Sequence, residues 1–264
     1  MVRQYKNFNI KKSDQGSIIL IGNFDGIHLG HQKLFKLAQF YKKKYKAKIG
    51  VINFDPLPKM FFNKYLQNFR ITSTSQKIKL LGSLNVDFVI TKKFDKNFSK
   101  IKSTNFIKDI LNKKLKSKFI FVSNNFRFGN KRQGDVQSLI ESEKKFHFKV
   151  IKPKPLIKYK KIVSSSLIRS LLEKGKLKQA NKLLNRNWTI NGIVQKGRQL
   201  GKKIGFPTCN IDIKNYVLAL PGVYAVKVLQ KNNSKYIKGI ANLGYRPTFN
   251  QKKILLEGHL FNYS

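Results

Sequence analysis

The apolar positions of this chain follow two different rhythms. Up to Asn185, short unbroken apolar runs alternate with longer stretches in which apolar residues recur every three or four positions. The runs at 17–22 (SIILIG), 47–54 (AKIGVINF), 86–90 (VDFVI), 118–122 (KFIFV) and near 146–151 read as buried strands. The stretches from 29 to about 41, 75–84 and 104–115 read as helices. A serine cap before Leu167, Ile168, Leu171 and Leu172 predicts another helix that Gly175 is placed to end, and 177–185 follows as one more. Strand–helix alternation of this kind predicts an α/β fold, a parallel sheet with helices on its faces. From Trp188 onward the rhythm changes to short alternating runs bounded by Gly, Pro and Asn, an all-β pattern. The expected domains are therefore 1–186 and 187–264, the second a short β unit that reads as an incomplete barrel.

Composition narrows the classes. A chain of 264 residues with 41% apolar types, including 21 Phe and 10 Tyr, has material for two cores and is not wholly disordered. Lys and Arg number 55 against 12 acids, a formal charge of +43. The lysines are spread along the whole chain, in clusters such as Lys42, Lys43 and Lys44 set between apolar positions, with no Arg/Gly tail and no paired CxxC. A lysine-rich solvated surface with incidental polyanion affinity fits this better than a specific nucleic-acid partner. Each scarce carboxylate becomes a candidate base or metal ligand. Cys209 stands alone, which excludes an internal disulfide and a multi-cysteine zinc site. No apolar run reaches bilayer length and the start lacks the apolar core of a secretory signal, so no membrane partner and a cytoplasmic location are expected.

Chemistry concentrates at Gly22-Asn23-Phe24-Asp25-Gly26-Ile27-His28-Leu29-Gly30-His31. This stretch lies beyond the carboxyl end of a strand and at a helix start, where α/β sheets collect ligands. Its glycines let backbone N–H groups approach phosphate, and the helix N-terminus favours an anion. His28 and His31, three apart, can face one anion in the first helical turn, as imidazolium or as neutral N–H donors. The GxxxxGK[ST] pattern of P-loop kinases is not here.

GNFDGIHLGH resembles the GxFDGxHxGH motif of the bacterial bifunctional riboflavin kinase/FAD synthetases, within the HxGH nucleotidylyltransferases. Later segments follow in the family's order. Asn53-Phe54-Asp55-Pro56-Leu57-Pro58 resembles its TFxPxP flavin-side loop, Asn125-Phe126-Arg127-Phe128-Gly129 its DFxFG segment, and Ser164-Ser165-Ser166-Leu167-Ile168-Arg169 its SSTxIR motif. The resemblance implies a Rossmann-like domain in which FMN phosphate attacks the α-phosphorus of ATP. It makes His28 and His31 catalytic, and Gly22, Asn23, Phe24, Asp25 and Gly30 part of the ATP loop. Ser164, Ser165 and Arg169 would grip the outer phosphates, and Phe54, Pro56, Pro58, Asn125, Phe126 and Phe128 the flavin side. Asp25 either organises the loop or bears on Mg²⁺. Where the family has Gly and Asp ahead of FxFG, this chain has Ser123 and Asn125, so a carboxylate acceptor is replaced by an amide.

Gly192, Gly197 and Gly201 followed by Gly205-Phe206-Pro207-Thr208-Cys209-Asn210 resemble the flavokinase motif GxVxxGxxxGxxxGFPTxN. This implies a six-stranded barrel that phosphorylates riboflavin with ATP. Gly205 and Pro207 would line the nucleotide, Thr208 and Asn210 would hold Mg²⁺, and Glu257 would be the base. His259 is expected to be structural. Asn262 replaces a usual Asp, and the family's LYG segment and closing helix do not follow, so the barrel is expected to be truncated. Rival readings are another nucleotidylyltransferase, a non-catalytic flavin-binding protein and a basic nucleic-acid-binding protein.

Overall fold

A computed structural model describes residues 2–195, 207–230, 233–248 and 251–262. Six strands form one parallel sheet: Arg3–Tyr5 (β1), Ile18–Ile21 (β2), Ile49–Asp55 (β3), Phe88–Lys93 (β4), Phe119–Phe121 (β5) and Lys149–Ile151 (β6). Their order is β1-β4-β3-β2-β5-β6. Every residue of β2 is buried, as expected of a central parallel strand covered on both faces. On one face, Val51 and Val89 pack with Phe35 and Ala38 of Leu29–Tyr45 (α1) and Leu81 of Thr74–Ser83 (α2). On the other, Ile52 and Ile90 pack with Ile107, Leu111 and Phe148.

The strands and helices read from periodicity are present, with three differences. Strand β1 carries no apolar signature because it is a largely exposed edge. It is fixed instead by buried Asp14, which accepts from Arg3 (2.5 Å), the Tyr5 hydroxyl (2.7 Å) and Lys48 (2.8 Å). Asp14 is thus one scarce carboxylate used for folding; its carboxyl is held down to about 2 by those hydrogen bonds against the opposing effect of burial. Helix α1 runs on to Tyr45, through a lysine run that looks like its end. Lys42 turns its ammonium to Asp87 at 2.6 Å, and Lys46 supplies a left-handed cap at φ 48°. The helix expected at 104–115 widens into a π-helix over Phe106–Lys114, which buries Phe106, Ile107, Ile110 and Leu111 together.

Helices Ser165–Glu173 (α3) and Leu177–Leu184 (α4) pack as a pair through Ile168, Leu172, Ala180 and Leu183. Gly175 separates them at φ 68°. Beyond them Val194–Gln195 (β7), Cys209–Asp212 (β8), Gly222–Val228 (β9), Ile237–Thr248 (β10) and Gln251–Leu260 (β11) form an antiparallel sheet in the order β7-β8-β11-β10-β9. One segment of the first region, 68–72, runs beside the second. Asn68 N donates to Lys214 O (2.9 Å), Arg70 N to Asn215 O (3.0 Å) and Val217 N to Arg70 O (2.7 Å). Trp188 Nε1 donates to Ile71 O at 3.0 Å.

Candidate active site

The loop between β2 and α1 is contorted. Phe24, Gly26 and Ile27 all have positive φ (45°, 83° and 40°), which costs little only at glycine. Burial holds the other two: Phe24 packs on Phe35 at 5.1 Å and edge-on to His31 at 5.2 Å. Asp25 ties the loop to its surroundings. Its buried carboxylate accepts from the Ile71 and Thr72 amides, each at 3.1 Å, and from Arg169 Nη2 at 2.6 Å. Its own carbonyl accepts from Ser165 Oγ at 2.8 Å. With that many donors on one side chain, loop organisation is the role of Asp25 that this geometry favours.

His28 is the N-cap of α1, so the first amides of a 17-residue helix open toward the loop. A side chain at Gly30 would come within 3.0 Å of the Val163 carbonyl, so glycine there allows the close approach of α3's leading segment. The His28 and His31 rings stack at 3.7 Å, and the Nδ1 atom of each is buried without a hydrogen-bond partner. Burial pushes His28 down to about 4; Asp25 opposes this, and Arg169 and Arg186 add to it. Burial, then His28, then Lys77 push His31 well below the ordinary range. Of the two forms open from the sequence, this environment selects neutral imidazole.

Arg169 reaches the loop from α3. Its Nε donates to Phe69 O at 2.7 Å and its guanidinium lies 3.7 Å from the centre of the Phe69 ring. Ser164 caps α3 by accepting from Leu167 N at 3.2 Å. Asn23 is exposed, and Gly22 continues the β2–β3 ladder through Ile52 O at 3.1 Å. The fold thus gathers His28, His31, Asp25, Ser165 and Arg169 around one loop, although Ser165 and Arg169 already bond within it.

On the expected flavin side, Phe54 lies among Phe94 and Phe98, at 5.8 and 5.6 Å. Pro56 follows a cis peptide and Pro58 begins a short helix, Pro58–Phe62. Phe126 stacks on Phe128 at 5.4 Å, with Phe128 in the core. Ser123 Oγ donates to Asn125 Oδ1 at 2.9 Å, so the two substituted positions pair with each other. A cleft of about 300 Å³ lies next to this loop, lined by Asp55, Arg70, Ser73, Thr74, Asn215 and Tyr216.

In the antiparallel sheet, Asn210 of β8 and Asn242 of β10 are the register partners of Glu257 of β11, one on each side. Directly paired side chains share a face, so Asn210, Glu257 and Asn242 form one cross-strand row. Asn210 is buried and its Oδ1 has no partner, whereas Thr208 is exposed. His259 Nδ1 lies 2.9 Å from the Pro207 carbonyl, linking β11 to the segment ahead of β8. Gly197, Gly201, Gly205 and Phe206 lie outside the described residues. Among the described residues no group of three or more His, Cys, Asp or Glu is placed to hold a metal.

Sequence reasoning missed the 68–72 segment, which has no periodic pattern, and Arg186, which donates to Gly26 O at 2.8 Å. It also missed Lys77, and it quoted Asn53 at the head of the flavin-side loop without giving it a role. Lys77 had a signal, since it occupies a core position of α2, one turn before Leu81.

The depressed histidines carry a testable consequence. Below the ordinary 6.5 the unfolded chain takes up a proton that folded His28 refuses until about 4. Stability is therefore full above pH 6.5 and falls as pH falls through that window. A urea midpoint followed from about pH 7.5 to 4.5 should drop, and His28→Asn should flatten the drop.

Comparison with known proteins decides the family. Residues 10–167 match the family model for FAD synthetase, and 184–264 the model for riboflavin kinase. The chain belongs to the bifunctional riboflavin kinase/FMN adenylyltransferase family. It is accordingly an enzyme of FMN and FAD synthesis. Relatives carrying that family's name are 41% identical in Buchnera aphidicola subsp. Schizaphis graminum, over 97% of this chain and 83% of the relative. In Escherichia coli K12 the figures are 35%, 96% and 81%. A solved structure titled a macrolide-efflux protein from Streptococcus pneumoniae superposes with a TM-score of 0.85 at 26% identity, covering 100% of this chain and 85% of that one. Among the described residues no helix is long and apolar enough to cross a membrane.

Proposed function

We propose that residues 1–186 of this family member transfer the adenylyl group of ATP to FMN. A phosphate oxygen of FMN attacks the α-phosphorus, the α–β bridging bond breaks, and pyrophosphate leaves with that electron pair. The observation that carries this reading is the stacked His28–His31 pair, the Nδ1 atom of each buried and unpartnered, at the N-terminus of α1. Neutral imidazoles can donate N–H bonds to phosphate oxygens as negative charge shifts toward the leaving group. The open amides of α1 add to that field. Gly22, Asn23, Phe24 and Gly30 shape the loop for close approach, and Asp25 holds Arg169 and Ser165 at its rim. Phe54, Pro56, Pro58, Asn125 and Phe126 receive the flavin, with Phe128 backing Phe126 from the core. Incubation with FMN, ATP and Mg²⁺ should release FAD and pyrophosphate in equal amounts; folded protein without turnover rejects the reading.

Residues 187–264 on this reading phosphorylate the ribityl hydroxyl of riboflavin, with the antiparallel sheet as the wall of a kinase barrel. Glu257 accepts the hydroxyl proton as the oxygen attacks the terminal phosphorus of ATP, the β–γ bridging bond breaks, and ADP leaves with that electron pair. The orphaned, buried Oδ1 of Asn210 suits a hard cation, and Thr208 supplies a second oxygen. Bound there, Mg²⁺ would neutralise phosphate charge. Pro207 and Gly205 complete the nucleotide side. Glu257→Gln should lower riboflavin phosphorylation about 100-fold or more while FAD formation from supplied FMN stays unchanged. Equal loss of both activities would assign Glu257 a structural role. A single cysteine and the absence of a membrane-length helix among the described residues suit a cytoplasmic location.

A further inference from the structure

Three elements of the first domain end their apolar packing at the same level. In α1, His31 lies one turn before Phe35; in α2, Lys77 lies one turn before Leu81; in β3, Asn53 lies two residues beyond Val51 and shares its face. Phe35, Leu81 and Val51 belong to one core cluster, so His31, Lys77 and Asn53 form the layer directly above it, at the carboxyl end of the sheet. That layer is polar, buried at Lys77 and Asn53 and partly buried at His31. Lys77 and Asn53 are 2% and 1% exposed. Both amide atoms of Asn53 and Nδ1 of His31 lack hydrogen-bond partners. Among the described residues, no hydrogen bond or ion pair engages the Lys77 ammonium; it feels Asp25, Asp55 and Arg70 only at a distance.

Groups of this kind cost stability. A buried polar atom without a partner is destabilising, and a buried charge more so. The local charges do not cancel either. Asp25 pairs with Arg169 and Asp55 with Arg70, which leaves the Lys77 ammonium as a surplus cation beside two neutral imidazoles. A cation, an amide and ring N–H groups meeting at a helix N-terminus are a donor set for phosphate oxygens.

We propose that Lys77 and Asn53 complete an anion pocket behind the His28–His31 pair and position the triphosphate of ATP during adenylyl transfer. Lys77 supplies the charge that the neutral imidazoles lack, and Asn53 Nδ2 a hydrogen bond. The proposal rests on the assignment of the His28–His31 loop to ATP.

The test is steady-state FAD formation by the full chain, with riboflavin phosphorylation by the same preparation as the control for folding. Lys77→Met should raise the KM for ATP at least tenfold, leave the KM for FMN within about twofold, and leave riboflavin phosphorylation unchanged. Lys77→Arg should retain most of the ATP affinity, because it keeps the charge. An unchanged KM for ATP in folded Lys77→Met overturns the proposal. If that variant does not fold, the pH profile of Lys77→Arg decides. Burial holds the Lys77 ammonium down to about 8, so the parent's KM for ATP should rise between about pH 7 and 9. The arginine variant should stay flat, since guanidinium keeps its charge there. The charged groups that act on Lys77 are Asp25, Arg70 and Asp55, and the buried, neutral His31 ring lies beside it. Identical profiles in parent and variant overturn the proposal. His28→Ala separates the two readings: if it transfers adenylyl groups at the parent rate, the loop assignment itself fails.

Discussion

His28→Ala lowers kcat for FAD formation by about 100- to 1000-fold, the range for losing one preorganised donor to developing charge. The KM for FMN changes little on the proposed assignment, in which the imidazole meets phosphate and not the flavin. Stopped assays of FAD and pyrophosphate over a matrix of ATP and FMN concentrations would read both quantities. Matching losses in kcat and in affinity for both substrates would assign His28 a structural place. The expectation for His31→Ala has the same sign, with an added packing defect where Phe24 leans edge-on against the ring.

Asp25→Ala strikes the frame rather than the reacting groups. It strands the Arg169 guanidinium, only 11% exposed, and frees the Ile71 and Thr72 amides. Removing one member of a buried ion pair costs about 3–5 kcal/mol. A urea titration should therefore show a clearly lower midpoint, and FAD formation should be lost with it. Asp25→Asn, which keeps an acceptor for the two amides, should recover part of the stability and less of the activity. A midpoint unchanged in Asp25→Ala would mean that Arg169 and the loop are held by something other than this carboxylate.

Much of this was readable in the residues. The apolar runs of β2 to β5 and the serine cap of α3 locate the sheet and its helices because burial on both faces leaves an unambiguous signature. The His28–His31 loop is legible because glycine, histidine and a strand end occur together. The strand β1 is not legible, since its register depends on a distant carboxylate, Asp14. The widened helix at Phe106–Lys114 is equally hidden, as its extra residue per turn answers to what packs beneath it. The polar layer of His31, Lys77 and Asn53 is signalled along the chain only by the lysine at a core position of α2, because its members come from three elements and meet only in space.

The 68–72 segment has a bearing on how the two activities live together. One edge of it, through the Ile71 and Thr72 amides, carries Asp25; the other is hydrogen-bonded to 214–217, and Trp188 grips Ile71. Cutting the polypeptide near 186 would thus not yield an autonomous adenylyl-transferring half, because the scaffold that steadies its nucleotide loop is partly borrowed from the kinase half.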